Sequence, residues 1–537
     1  MTGPGLPWSQ QYDPLGSPLL STLVALLPVL VLLGLLSSHR VRAHWAAVIG
    51  LGASLAVAVF AVGMPAPMAA RAALYGAAYG LFPIGWILLN VLFLYQLTVD
   101  RGLFVVLQES IAHLTTDRRL QLVLIAFSFG AFFEGAAGFG TPVAVTAALL
   151  IGLGFPALDA SVYSLIANTA PVAFGALGTP LIALQGVTGL DLRDLSAMVG
   201  RQLPLFSMII PFWVVAAYAG VRRTVEVWPA LAVAGIAFAV PQYLVATYHG
   251  PWLVDVTASV CSMGALALFL RVWSPRHVDA IGVARRAAAL PDRAAVLRAW
   301  LPWAVLSVVV FAWGTPQVKS WLNGLSAPQL RITGLHDLVL RVPPVVAVAK
   351  GEAAVFSFNW LSASGSGIAV AAIISGLLMG CSPRTMVRTY AHNARRLVPS
   401  LLTIAAMMAL GYVTRYSGTD TILGLAFART GTTYPFFGAL LGWLGVALTG
   451  SDTSSNVLFG GLQVVTATTL GVNPVLMAAA NSSGGVMGKM IDAQSIVVAG
   501  AATNVRGQEG TILRRVFWHS IALAGLVGLF VMIQAHL

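Results

Sequence analysis

The stretch FGAFFEGAAGFGTP (Phe129–Pro142) places one acid among glycines in the middle of an apolar segment. Between Leu120 and Leu158 the only charge is Glu134. A second stretch of this kind, GSDTSSN (Gly450–Asn456), lies between Thr430 and Val505, where the only charges are Asp452, Lys489 and Asp492. Glycines and small polar residues in mid-segment break a helix, and lipid does not tolerate the backbone groups that a break sets free. Each break must therefore be buried in protein or face water. The simplest arrangement is a re-entrant hairpin in each region. The first turns at Glu134–Thr141 and returns near Pro156. The second enters near Pro435, turns at Ser451–Asn456 and returns near Pro474. A broken element follows each hairpin, centred on NTAP (Asn168–Pro171) in one case and NSSGG (Asn481–Gly485) in the other.

The rest of the chain supplies the membrane setting. Of its 537 residues 58% are hydrophobic and 9% charged, whereas a soluble domain carries about 25% charged residues. Polar material is too scarce to coat soluble domains. Runs free of Asp, Glu, Lys and Arg include Pro18–Ser38, Ala43–Ala70, Ala72–Val99, Leu203–Val221, Val227–Val254, Val256–Leu270, Ala299–Val318, Ala353–Pro383, Leu397–Thr414 and Val516–Leu537. A spanning helix needs roughly 20 apolar residues, and about 12 to 14 hydrophobic segments are expected. No basic region precedes Pro18–Ser38, so this run reads as a retained helix and not as a cleaved signal. The expected fold is all-α and polytopic.

The net charge of +12 sits in short loops between apolar runs. Arg271, Arg276, Arg285, Arg286, Arg293 and Arg298 share one loop; Arg384, Arg388, Arg395 and Arg396 share another. That is the positive-inside pattern and not a nucleic-acid surface. With the basic loops in the cytoplasm, both chain ends and the Lys319–Lys350 stretch fall outside. Hairpin one then enters from inside and hairpin two from outside. Both halves run from a hairpin with a buried acid to an Asn-centred break, with 34 residues from Glu134 to Asn168 and 29 from Asp452 to Asn481. This is an inverted-topology repeat, the usual origin of a binding site at the membrane midplane. The expected divisions are N-terminal scaffold spans in 1–119, a first transport half in 120–221, and spans with the basic and outer loops in 222–352. The second half begins in 353–433, its hairpin and broken helix fill 434–515, and the last span is 516–537. The scaffold is expected near Ala43–Val99 and Val227–Val318.

Helix termini at such breaks present unpaired N–H groups and partial positive charge to an anion. Thr141, Asn168, Thr169, Ser451, Thr453, Ser454, Asn456, Asn481, Ser482 and Ser483 would add hydrogen bonds. The combination suits a small carboxylate that also carries a hydroxyl. Ser, Thr and Gly also serve as glue between membrane helices, but these two clusters coincide with the breaks and the charges. Lys489 could receive the substrate carboxylate, or pair with Asp492 or Asp452. Glu134 and Asp452 are the candidate proton carriers, because a carboxyl in a medium that disfavours its charge can take up and release a proton. The competing reading is a permanent ion pair with Lys489 or Arg415.

Cys261 and Cys381 both lie in apolar runs and build no disulfide framework or metal motif. No GxSxG, HExxH or Walker motif is present, so no enzymatic chemistry, cofactor or metal is expected. Transport would be secondary. A channel would need a continuous polar stripe, which no helix shows. A transporter or exporter of a different small organic anion shares the architecture and stays open. Small interfacial residues are compatible with a homodimer in membrane lipid.

Six stretches are similar to the bacterial L-lactate permease family, which includes glycolate permeases. They are FGAFFEGAAGFGTPVAVTAALLIGLGFPAL (Phe129–Leu158), NTAPVAFGALGTP (Asn168–Pro180), VGRQLP (Val199–Pro204), FNWLSASGSGIAVAAIIS (Phe358–Ser375), LTGSDTSSNVLFGGLQ (Leu448–Gln463) and ANSSGGVMGKMIDAQSI (Ala480–Ile496). The start Trp8-x-Gln-x-Tyr12-Asp-Pro-x-Gly16 also resembles the family's. The resemblance implies a proton-coupled symporter importing L-lactate, D-lactate, glycolate or a related 2-hydroxymonocarboxylate across the bacterial cytoplasmic (inner) membrane. It further suggests a scaffold paired with a moving transport unit. Thr141, Asp492 and Arg415 depart from the family pattern and bear on the exact substrate.

Overall fold

The computed structural model describes residues 6–37, 41–112, 114–136, 141–279, 292–346, 348–505 and 508–537. Among them, 9 helices are long and apolar enough to cross a membrane, or up to 11 if each of two bent pairs counts as one span. Shorter apolar helices add to these, as does a small set of strands at one face. The expected all-helical, polytopic architecture is present.

Hairpin one consists of an inbound segment, Arg118–Ala136, and a return helix, Thr141–Gly152. The four turn residues between them lie outside the described residues. Its two ends meet: Arg118 Nη2 donates to the carbonyls of Leu153 at 3.4 Å and Gly154 at 3.0 Å. The segment thus enters and leaves at one face without crossing. The chain then bends by 67° between Ala157–Ala167 and Val172–Thr188. Asn168–Pro171 form the break, as expected. Pro171 has no N–H to continue the helical ladder, and Ala176 (φ 44°), Leu177 (φ 55°) and Gly178 (φ 80°) follow in left-handed backbone.

Hairpin two pairs Tyr434–Thr449 with Asp452–Leu470, turning on Gly450 at φ 73°. The broken element after it differs from the expectation. Asn481–Gly485 lie inside a continuous helix, Pro474–Gly488, and the break falls at Lys489–Asp492, before Ala493–Ala502. The small residues serve close packing. The carbonyl of Asn481 lies where a side chain on Gly442 would go, and that of Ala439 where one on Gly484 would go. The polar side chains of Asn481, Ser482 and Ser483 have hydrogen-bond partners in neighbouring segments, so they do not unravel their own helix.

The two hairpins enter from opposite faces. The final helix, Glu509–His536, has 28 residues and is about 42 Å long at 1.5 Å per residue. At its start Arg515 pairs with Asp159, just past the base of hairpin one. At its end Leu537 lies beside Asn473, at the base of hairpin two.

Basic loops gather at the hairpin-one face. There Arg119 bridges Asp117 at 2.8 Å and Glu226 at 2.9 Å and donates to the carbonyl of His277 at 2.6 Å. At the opposite face the strand Trp8–Ser9 pairs in parallel with Val339–Arg341, which pairs antiparallel with Lys350–Gly351. The N-terminal segment and the stretch after Arg293–Gly314 therefore share a face.

A 35-residue helix, Pro383–Ser417, runs through the middle. It packs on Ala43–Ala56 and Ala66–Tyr79, where Gly80 lies against the Ile404 carbonyl. Trp228–Tyr248 and Val254–Phe269, expected with the scaffold, pack instead on hairpin one and on Pro204–Ala219. Glycines permit this. Gly135 admits Asp255, Gly235 meets the Met208 carbonyl and Gly200 admits Ala246.

Candidate functional site

Glu134 of hairpin one, the turn of hairpin two and the segment after the first helix break converge on a cavity of about 170 Å³. A single water needs roughly 10–15 Å³ of such space, so the cavity suits a small anion with some hydration. Glu134, Ser451, Asp452, Thr453 and Lys489 line it, with Gly175, Thr179 and Gln494. The long helix closes the remaining side with Ser400, Thr403 and Met407.

Glu134 is 4% exposed and sits near the end of the inbound segment of hairpin one. Asn168 Nδ2 donates to its Oε2 at 3.2 Å, which ties the first break to the first acid. A Cβ on Gly175 would fall 2.7 Å from Glu134 Oε1, so only glycine leaves room for this carboxyl. The left-handed Ala176 and Leu177 come next. Non-glycine residues in that region cost of order 1 kcal/mol each or more, and such strain clusters at functional sites.

Asp452 opens the second helix of hairpin two and is 3% exposed. Its Oδ2 accepts from Ser482 Oγ at 2.5 Å and Asn456 Nδ2 at 3.4 Å. A polar chain extends from it toward the base of the hairpin. Asn456 Oδ1 accepts from Asn481 at 2.9 Å, Asn481 Oδ1 accepts from Gln463 at 3.2 Å, and Gln463 Oε1 accepts from Tyr434 at 2.7 Å. Asn456 Nδ2 also donates to the Pro180 carbonyl at 3.2 Å, joining the two halves.

Lys489, 6% exposed, donates to the Gly450 carbonyl at 2.7 Å and stands 3.4 Å from Asp492 Oδ2. It thereby caps the C-terminal end of Tyr434–Thr449, where the helix dipole favours a cation. Among the described residues it is the only cation that lines the cavity. Arg415 lies elsewhere, bonded to Glu352, so the competing pairing of Glu134 with Arg415 does not form.

The residues singled out in the sequence thus fall into three groups. Glu134, Ser451, Asp452, Thr453, Ser454 and Lys489 face the cavity. Asn168, Asn456, Asn481 and Ser482 stand behind them as hydrogen-bond partners. Thr169 takes no part: it is buried, and its Oγ1 donates to the Ile166 carbonyl at 2.9 Å, closing the end of its own helix. Thr141 opens the return helix of hairpin one, and its side chain lies outside the described residues.

Two sets of residues were missed. Ser400 and Thr403 occur at helical spacing in the apolar run of the long helix, and that spacing is the signal that could have found them. Asp255 is the larger omission. It is 1% exposed, neither carboxyl oxygen has a hydrogen-bond partner, and it abuts Gly135 next to Glu134. Glu134, Asp452 and Asp492 are buried close to the ammonium of Lys489, and Asp255 is buried beside Glu134.

Comparison with known proteins follows the same lines. A profile of the L-lactate permease family matches residues 21–537. The glycolate permease GlcA of Escherichia coli K12 is 45% identical over 98% of both chains. The L-lactate permease of Bacillus subtilis strain 168 is 43% identical, and that of Escherichia coli K12 is 41% identical, each over 98% of both chains. The solved Alcanivorax borkumensis YdaH transporter superposes with a TM-score of 0.44 at 13% identity, covering 86% of each chain. Permeases are transporters and not enzymes. The chain is a multi-pass membrane protein that belongs to the L-lactate permease family.

Proposed function

We propose that the protein is a proton-coupled symporter that imports lactate, glycolate or a related small 2-hydroxymonocarboxylate, with its basic loops in the cytoplasm of a bacterial cell. The names of its relatives support the substrate class. The observation that carries the coupling is the charge balance of the cavity. Several buried carboxyls surround one ammonium that already contacts Asp492 and a carbonyl. An entering anion adds a further negative charge in a low-dielectric site, where it is costly. A proton on Glu134 or Asp452 supplies the compensating charge, so anion and proton travel together.

The substrate carboxylate is held at the N-terminus of Asp452–Leu470, where the Asp452 and Thr453 N–H groups lack intrahelical acceptors, that of Ser454 being capped by Ser451 Oγ at 3.3 Å. Ser451 and Thr453 contribute hydroxyls, and Lys489 contributes long-range attraction. Asn168, Asn456, Asn481 and Ser482 orient the two acids. Release follows when movement of the hairpin-bearing part against the long helix opens the cavity to the other face and the proton leaves.

The test is uptake of radiolabelled L-lactate into proteoliposomes with and without an inward proton gradient, with glycolate and acetate as competitors. The expected result is gradient-driven accumulation that glycolate blocks and acetate blocks weakly. Uptake that ignores the gradient would remove the coupling. No uptake by folded protein would remove the substrate.

A further inference from the structure

A second chamber of about 440 Å³ lies along the same two helices as the first, toward the face that carries the small strands. Val172–Thr188 and Pro383–Ser417 run past both cavities, which share no lining residue. Between them Gly186 packs on Tyr79 and Met408, and a Cβ on Gly186 would come within 2.7 Å of the tyrosine ring. The second chamber thus begins where the first ends, behind an aromatic and thioether plug.

Its lining carries positive charge. Lys319, on the helix Pro316–Leu325 beyond the span, places its Nζ 5.0 Å from the centroid of the Trp252 ring. Among the described residues no carboxylate lies within ion-pair distance of it. Burial, and next the neighbouring Arg193, hold the Lys319 pKa below its ordinary value, with Asp191 offsetting them in part. An anion beside this ammonium would relieve both costs. Arg415 also lines the chamber; behind it Glu352 is shared between Arg415 at 2.5 Å and Arg341 at 2.8 Å, which leaves that trio with one net positive charge. Arg415 is also held by the Gly186 and Val187 carbonyls, so its position is fixed. Gln185 and Asn359 add neutral polar groups. A positively charged pocket with low-dielectric walls focuses field lines and concentrates anions.

We infer that this chamber is a separate capture site for a small carboxylate, with the Lys319 ammonium as its primary contact. It loads the substrate before the plug of Tyr79 and Met408 opens to the Glu134–Asp452–Lys489 cavity. The inference rests on the reading of the protein as an organic-anion transporter and adds a site that this reading does not require.

Two measurements on the full-length protein test it. In proteoliposomes, Lys319→Gln should raise the KM for L-lactate about tenfold, the loss of one unshared charge contact. Maximal velocity should stay near the original. Lys319→Arg should restore most of the affinity, and added salt should narrow the difference between Gln variant and parent. In nanodiscs, L-lactate should change the intrinsic fluorescence of the parent through Trp252, and that change should vanish in Lys319→Gln and in Trp252→Phe. Parent-like KM and fluorescence response in Lys319→Gln overturn the capture site and leave the transport reading intact. If the parent does not transport L-lactate, that reading fails for lactate, and titration with acetate and pyruvate decides the chamber. A Lys319-dependent fluorescence response then supports it, and no response overturns it.

Discussion

Buried charges in an apolar chain are the residues that sequence reading finds most readily, because leaving one unpaired is costly. Glu134, Asp452 and Lys489 were legible for that reason, and all three line one cavity. Asp255 was not legible. It separates the runs Val227–Val254 and Val256–Leu270, and an acid between two apolar runs reads as part of a loop. Only the packing of Val254–Phe269 on Gly135 shows that it is enclosed. Asp255→Asn is expected to lower gradient-driven accumulation at least about tenfold, while exchange of labelled for unlabelled lactate continues. Unchanged accumulation would mean that Asp255 has no part in proton movement. At Gly175 the limit is steric, because a methyl group there meets Glu134 Oε1. Gly175→Ala should therefore impair transport about as much as Glu134→Gln, measured as initial uptake in vesicles with equal protein content. Thr169 shows the opposite error. A hydroxyl next to a break reads as a ligand, yet it satisfies the carbonyl of its own helix.

Among the elements, the hairpins were legible because a midsegment run of glycine and polar residues leaves few alternatives in lipid. The position of the second break was not. Small residues that end a helix and small residues that let two helices touch have the same composition, and only the neighbour decides between them. At Gly442 and Gly484 the neighbour is backbone. Gly484→Leu should therefore abolish stable folding, read as loss of the monodisperse peak in detergent, whereas Gly34→Leu, with open space around it, should not. The hairpin geometry makes a labelling prediction. In protein whose native Cys261 and Cys381 are replaced, cysteines at Thr115 and Leu153 should react with an impermeant maleimide from one face of the membrane. A cysteine at Asn473 should react from the other. Labelling of Thr115 and Leu153 from opposite faces would mean that the first segment spans.

For the molecule as a whole, the inverted order of hairpin, broken helix and final helix was readable from charge and glycine placement. The grouping of the helices was not, since Trp228–Tyr248 offers no sequence feature that distinguishes a scaffold from a hairpin partner. A further whole-molecule tie is the Arg341–Glu352–Arg415 trio, which holds the stranded face to the end of the long helix. Burial would raise the Glu352 pKa, but the Arg415 and Arg341 guanidiniums hold it below its ordinary value. Such a group stabilises the fold above its unfolded pKa of about 4.3, and the contribution is lost as pH falls through the lower folded value. Glu352→Gln should therefore cost about 3 kcal/mol at neutral pH, seen as a lower melting temperature. The gap to the parent should close only below about pH 4. A gap independent of pH would mean that the carboxylate charge is not what holds this face.

The strand pairing at that face also bears on how the protein is made. Trp8–Ser9 leaves the ribosome early, but its partner Val339–Arg341 is synthesised only after most of the spans that precede the long helix. Gln10 likewise donates to the carbonyls of Arg415 and Tyr416, which come later still. The Trp8–Ser9 segment must therefore wait, unpaired, while the bundle inserts behind it. Its docking is one of the last steps of biogenesis. A bulky fusion ahead of Trp8 would interfere with that step after insertion was already complete.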